Sequence, residues 1–254
     1  MERVRSPFQG VLNIIRFNWH FYAASAGFVI LLFALSFYLA PAYGFYLNII
    51  CLFALFPILI SLLVSFYAYD LSNLYTLDWL GESNSVGIKR IVNINAGFDE
   101  TSKLLKENFE NAELIALDFY DAAKHTEISI KRARKAYPPY KNTKPISTAK
   151  IPLENDSADK IFLILSAHEI RNDQERTVFF SELRRILHPK GQIILTEHLR
   201  DTPNFLAYNI GAFHFHSEKT WLENARNAHL KLTRKIKITP FIKTFVFEKN
   251  GNTS

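Results

Sequence analysis

The stretch KIFLILSAHEIRNDQERTVFFSELRRILHPKGQIILTE, residues 160–197, decides the fold. Residues 160–166 (KIFLILS) make a nearly continuous apolar run, the pattern of a strand buried on both faces of a parallel sheet. Residues 172–187 then place apolar side chains at helical spacing. Pro189, Lys190 and Gly191 turn the chain into a second apolar run, 192–197 (QIILTE). Strand, helix and strand in this order form a right-handed parallel crossover.

The alternation continues on both sides of this unit. Upstream, the patterning predicts strands at 89–95 and 113–118, helices at 101–109 and 122–136, and a short strand near 146–151. Downstream, it predicts a helix at 217–228 and two alternating strands, 231–239 and 242–248, joined through Pro240. The expected fold of residues 89–254 is α/β, a doubly wound, Rossmann-like seven-stranded sheet with an antiparallel C-terminal edge hairpin.

The N-terminal part is of another kind. From Phe17 through Tyr69 there is no Lys, Arg, Asp or Glu. A membrane crossing takes about 20 apolar residues, so the run predicts a transmembrane α-helical hairpin with spans at about 21–40 and 45–67. A tight turn is expected around Pro41-Ala-Tyr-Gly44. A cleaved signal peptide fits poorly, because the apolar region is too long and a second span follows. Before the first span, residues 8–19 (FQGVLNIIRFNW) have the pattern of a short interfacial amphipathic helix. Residues 1–69 thus read as a membrane anchor and 70–88 as a polar linker. Arg3, Arg5 and Arg16 precede the spans, and Lys89 and Arg90 follow them. The positive-inside rule then places both termini and the α/β domain on the cytoplasmic side of the membrane.

Composition narrows the classes further. Among 254 residues, 48% are hydrophobic and 21% charged, which excludes global disorder. The single cysteine, Cys51, excludes a disulfide framework. The net charge of +6 is modest and no nucleic-acid-binding motif is present, so nucleic acid is not an expected partner. The densest basic run, KRARK at 131–135, reads as a solvated helix face or a contact for anionic lipid headgroups.

In doubly wound sheets, ligands bind beyond the carboxyl ends of the strands. Asn95-Ala-Gly97-Phe-Asp99 follows the first predicted strand and Asp118 ends the second, a spacing that matches a nucleotide site with the acid on ribose hydroxyls. Asp99 and Glu100 stand where a pyrophosphate would need a positive helix start, and they would repel it. A ligand bearing an amino group and a sulfonium is tolerated there, which favours S-adenosylmethionine over NAD.

Two segments carry a family resemblance. IPLENDSADKIFLILSAHEIRN (151–172) and ELRRILHPKGQIILTEH (182–198) resemble the segments around the fourth and fifth strands of class I S-adenosylmethionine-dependent methyltransferases, type 11 in particular. The resemblance spans about 88–250 and leaves the hairpin out. It implies that Asn93, Asn95 and Gly97 stand at positions of the cofactor loop, where the family has an acid and glycines and this chain keeps only Gly97. Asn95 would replace a glycine by tolerating positive φ. Asp118 would bind the ribose, while Ser147, aligned with the adenine-contacting acid, and Ser166 would complete the cofactor site.

The acceptor would lie over the fourth and fifth strands, beside Ser166, His168, Glu169, Glu197 and His198. His168 and His198 are the candidate catalytic bases. Glu169, His214 and His216 are candidate acceptor-binding residues. His214 and His216, two apart, could bind a metal if they lay on one strand face, but spacing shows no third ligand and no metal is expected. The reading is a membrane-anchored methyltransferase that uses S-adenosylmethionine and acts on a lipophilic small molecule, with membrane lipids as its other partners. The alternatives are a non-catalytic cofactor- or partner-binding module and an NAD-dependent oxidoreductase.

Overall fold

The computed structural model describes residues 5–39, 41–81, 87–124 and 127–251. Three helices open the chain: α1 (Gln9–Phe17), α2 (Trp19–Tyr38) and α3 (Pro41–Phe66). Helices α2 and α3 pack on each other, and both are long and apolar enough to cross a membrane, with mean hydropathies of 1.9 for Trp19–Tyr38 and 2.8 for Tyr43–Leu71. None of the first span and 11% of the second is buried in the protein. Pro41 starts α3 instead of belonging to a turn that runs to Gly44. Its fixed φ and missing N–H suit a first helical position. A single π-helical turn, Tyr67–Leu71, continues α3.

The sheet contains β1 (Arg90–Asn95), β2 (Glu113–Asp118), β3 (Lys144–Pro145), β4 (Ala158–Ile164), β5 (Leu187–His198), β6 (Leu230–Lys237) and β7 (Ile242–Lys249). Their order is β3-β2-β1-β4-β5-β7-β6, with β1 to β5 parallel and β7 antiparallel between β5 and β6. This is the Rossmann-like methyltransferase arrangement, with the antiparallel C-terminal hairpin that the alternating tail predicted. The helices are α4 (Ser102–Asn108), α5 (Ile128–Ala136), α6 (Asp173–Ile186), α7 (Thr202–Tyr208) and α8 (Glu218–Asn227).

Three local expectations change. No strand forms at 146–151; the two-residue β3 lies just before it and pairs only with the end of β2. The turn at Pro189–Gly191 lies inside β5, where the β4 pairing shifts register between Ala158 and Lys160. The segment after α3 is no free linker. Leu74, Leu77 and Leu80 are buried against Ile91, Phe162 and Ile194 and so cover one sheet face.

Period-2 alternation assigns the strand side chains to two cores. Val92, Ile161, Leu163 and Leu195 face α6 and α8, whereas Ile91, Phe162 and Ile194 face α4 and the 74–80 segment. Trp221 of α8 is fully buried and stacked on Phe180 of α6, with ring centroids 6.2 Å apart. Truncation leaves a large cavity there, so Trp221→Ala should lose about 3–5 kcal/mol of domain stability in chemical unfolding.

Candidate active site

A cleft of about 240 Å³ opens beyond the carboxyl ends of β1, β4 and β5. Its roof is α1. Gly10, Asn13 and Phe17 line the cleft, so the N-terminal amphipathic helix turns its buried face onto the α/β domain. Asp70, in the π-helical turn that ends the second apolar helix, accepts from the backbone N–H groups of Gly10 and Val11 at 2.7 and 2.8 Å. These are among the donors that a helix start leaves unsatisfied. Gly10 is required here, because a Cβ would stand 2.4 Å from the Cβ of Tyr69. Arg5 pairs with Glu100 at 2.6 Å, Tyr75 donates to Glu100 at 2.9 Å, and Tyr137 donates to Asn13 at 2.9 Å.

The roof also redirects the basic helix α5. Arg132 donates to the Phe17 carbonyl at 2.6 Å, and Arg134 turns inward to Asp118, also at 2.6 Å. Two of the five residues of the KRARK run are therefore structural, not part of a solvated face.

At the cofactor end, Asp99 accepts from the N–H groups of Thr101 and Ser102 and so fixes the start of α4. Asn93 is buried and braces the same loop, donating to Asp99, Thr101 and Ser102, so it does not line the cleft as expected. Asn95 does line it. Its Oδ1 accepts from the Gly97 N–H at 3.1 Å, while its buried Nδ2 has no partner. The positive φ falls on Gly97 alone, at +94°; Asn95 ends β1 in extended backbone and replaces glycine through its side chain.

A Cβ on Gly97 would meet Arg134 Nη1 at 2.8 Å and Tyr120 Cδ2 at 3.0 Å. The Arg134 guanidinium lies over the Tyr120 ring at 4.2 Å. Open backbone, an acid and an aromatic face thus form a cradle for a flat polar group, and Arg134 lies in it. These residues fit a nucleoside, and Asn95 Nδ2 supplies a further donor. Ser147 is not part of this cradle, because it closes a local turn with Lys150. Nor does Ser166 offer its hydroxyl to the cleft, since it donates to the Ile94 carbonyl at 2.8 Å and ties β4 to β1.

At the acceptor end, His168, Glu169, His198 and His214 all line the cleft. Fully buried Glu197 bonds His168 Nδ1 at 2.7 Å. Burial alone would discharge His168, but Glu197 and Glu169 more than offset this and raise its pKa to about 10. As arranged here, His168 holds a proton and cannot accept one. Glu169 is held well below the usual carboxylate range: its burial is outweighed by hydrogen bonds to His168 and His214.

His198 is the opposite case. Burial lowers its pKa to about 4, so it is neutral. Its Nδ1 faces two acceptors, Asn204 Oδ1 at 3.0 Å and the Phe241 carbonyl at 3.1 Å, and must carry the hydrogen. Its Nε2 accepts from the Tyr69 hydroxyl at 2.8 Å. His216 does not reach the cleft. It contacts buried Arg176 at 3.2 Å and packs edge-on to Trp221, and burial with Arg176 and Arg171 lowers its pKa to about 3.

Sequence reasoning missed Tyr69, which reads as one more interfacial tyrosine at a span end. It also missed Arg134, whose carboxylate partner is sixteen positions away in the chain. The roof could have been suspected from Asp70, the acid that ends the uncharged run.

Residues 92–195 match the family described as "Methyltransferase domain". Over these residues the chain matches a methyltransferase domain, in keeping with the class I resemblance that its two strand segments carry. S-adenosylmethionine is the cofactor of such domains. No curated protein sequence matches the chain. Among solved structures, the PH0226 protein from Pyrococcus horikoshii OT3 is similar at 15% identity and TM-score 0.52, covering 70% of this chain and 89% of that one. A SAM-dependent methyltransferase from Aquifex aeolicus aligns at 17% identity and TM-score 0.49, over 69% of this chain and 91% of that one. At these identities the likeness is one of fold.

The neutral state of His198 is directly measurable. At pH about 6 an ordinary histidine, with pKa about 6.5, is mostly charged. In the methyltransferase domain, nitrogen chemical shifts should show the His198 ring as the neutral Nδ1–H tautomer at that pH, titrating only towards pH about 4. Because folding disfavours its charged form, its contribution to stability is intact above about 6.5 and is lost as pH falls towards 4.

Proposed function

We propose that the protein is a membrane-anchored methyltransferase that transfers a methyl group from S-adenosylmethionine to a lipophilic small molecule at the cytoplasmic membrane surface. One observation carries this reading: the cleft is walled jointly by the α/β domain and the base of the apolar hairpin. Gly10, Asn13 and Phe17 of α1 and Tyr69 at the end of α3 face Asn95, His168 and His198 across it. An acceptor dissolved in the bilayer would reach such a cleft without crossing water. The α2–α3 hairpin is hardly covered by protein, which suits lipid contact better than a soluble core. The cations flanking the hairpin favour a cytoplasmic domain by the positive-inside rule.

The roles follow from the chemistry of the side chains. S-adenosylmethionine, when bound, supplies an electrophilic methyl group. Asp118 would accept from the ribose hydroxyls once Arg134 moves aside, with Gly97 giving close approach and Asn95 Nδ2 donating a hydrogen bond. Proton removal from the acceptor falls to His198. Its Nε2 is free of hydrogen and reached through the Tyr69 hydroxyl, so Tyr69 can pass a proton inward as it takes one from the acceptor. General-base help of this kind is worth about 10²–10⁴-fold. His168, held by Glu197, lines the acceptor end without serving as the base.

The Arg134–Asp118 pair gives some support to a non-catalytic module, and the same experiment separates the two. Full-length protein in detergent should bind S-adenosylmethionine in calorimetry, with Asp118→Ala weakening binding at least about 10-fold and Arg134→Ala strengthening it. NAD should not bind. With radiolabelled cofactor and lipid extract, Tyr69→Phe should lower kcat by about 10²-fold with little change in KM. Cofactor binding without methylation of any lipid-soluble acceptor would favour the module. No cofactor binding by wild-type protein or by Arg134→Ala would refute the enzyme and leave a non-catalytic partner-binding module.

A further inference from the structure

The histidines and acids at the acceptor end show a second pattern. His168 and Glu169 stand on the 3-10 turn after β4, and His214 ends the 3-10 turn after α7. Glu169 Oε1 lies 3.4 Å from His168 Nε2 and 3.5 Å from His214 Nε2. One ligand atom from each residue falls within 4.8 Å of the others. Tetrahedral zinc with N and O ligands at about 2.0–2.2 Å sets neighbouring ligand atoms about 3.4 Å apart.

The far nitrogens match as well. His168 Nδ1 meets Glu197 Oε2 at 2.7 Å, and His214 Nδ1 meets Glu127 Oε1 at 2.9 Å. Metal-binding histidines almost always give their other ring N–H to a carboxylate or carbonyl, which fixes the tautomer and directs the free nitrogen at the ion. Both histidines here are oriented that way, with their Nε2 atoms turned to the same carboxylate oxygen, and an ion there displaces the Nε2 proton that His168 carries in the metal-free protein.

We propose that His168, Glu169 and His214 form a divalent transition-metal site, zinc by its ligand set, facing the cleft. It differs from the pair suggested by spacing in the sequence, because His216 turns away to Arg176 and the fold brings in His168 and Glu169. Three carboxylates, Glu127, Glu169 and Glu197, converge here. Arg171 now supplies positive charge beside them: its Nη2 contacts both ring nitrogens of His214, 2.6 Å from Nε2, and lies 3.5 Å from Glu127, while its Nη1 donates to the His214 carbonyl. The Arg171 side chain is 43% exposed and can turn to solvent when an ion takes over that charge. Three protein ligands leave a fourth position for water or for an acceptor oxygen. Only this last assignment rests on the methyltransferase reading; it narrows the acceptor to molecules with a hydroxyl or carbonyl.

The test is calorimetric titration of untagged, chelator-stripped full-length protein in detergent with zinc chloride. Cobalt(II) absorption reports the coordination geometry, and S-adenosylmethionine binding is measured on the same samples. The expected result is one equivalent of zinc and a tetrahedral cobalt spectrum. Both should disappear in Glu169→Gln and His214→Ala while cofactor binding is retained, and Glu127→Gln should weaken zinc by about 10–100-fold. Cooperatively melting wild-type protein that takes up no stoichiometric zinc would overturn the proposal, whether or not it binds the cofactor. So would zinc binding that survives both ligand substitutions. If those two variants do not melt cooperatively, Glu127→Gln decides, since its carboxylate is 44% exposed; unchanged zinc affinity there also rejects the site.

Discussion

The Asp70 carboxylate, held against the first N–H groups of α1, fastens the roof of the cleft to the foot of the hairpin. Hydrogen bonds to a charged acceptor are worth about 1.5–3 kcal/mol each, enough to set where a nine-residue helix lies. The rest of the cleft follows from that placement. With α1 fixed, Phe17 packs edge-on to Phe98 and Tyr137, Arg5 reaches Glu100, and Arg132 finds the exposed end of the helix backbone at Phe17. Gly10 makes the crossing with Tyr69 close enough to exclude solvent between the two helices. The same tyrosine then points its hydroxyl at His198. One chain of contacts thus runs from the apolar hairpin to the candidate base.

Glu197 imposes the second constraint. A carboxylate with no solvent exposure is costly unless it is paired and hydrogen-bonded, and His168 supplies both its ring and its backbone N–H. That pairing explains why two neighbouring histidines behave oppositely. His168 is drawn into a cluster of acids and keeps its charge, whereas His198, one residue along from Glu197, meets only neutral acceptors and a phenol. Two rings of identical chemistry are thereby divided into one held among carboxylates and one left neutral as a proton acceptor. Sorting titratable groups in this way is how a site runs acid and base chemistry at one pH.

Much of this was legible in the sequence, for physical reasons. A strand buried on both faces must be apolar throughout, so 160–166 and 192–197 identified the sheet, and the uncharged run from Phe17 to Tyr69 identified the hairpin. Asn95, Gly97 and Asp118 were expected together because ligand sites in this topology lie where parallel strands end, and the fold does bring them to the ends of β1 and β2. The roof was not, since an amphipathic helix beside a span fits a lipid interface and a protein surface equally well. Ser147 failed because β3 is only two residues long and a local turn takes its side chain. His214 and His216 failed as a pair because period-2 reasoning assumes a strand. One ends a 3-10 turn and the other bridges to Leu199, so their rings diverge.

Arg134 shows what such folding can accomplish without a ligand. An acid at the end of β2, prepared to receive hydroxyls, would be an unpaired carboxylate, 8% exposed, in any state lacking a nucleoside. The guanidinium satisfies it while covering Gly97 and stacking on Tyr120, so the cradle keeps its shape and its charge balance. Arg134 belongs to the helix that Arg132 and Tyr137 tie to the roof. Arg134 thus stands on the same short helix that holds the roof, so the cradle and the roof share one support.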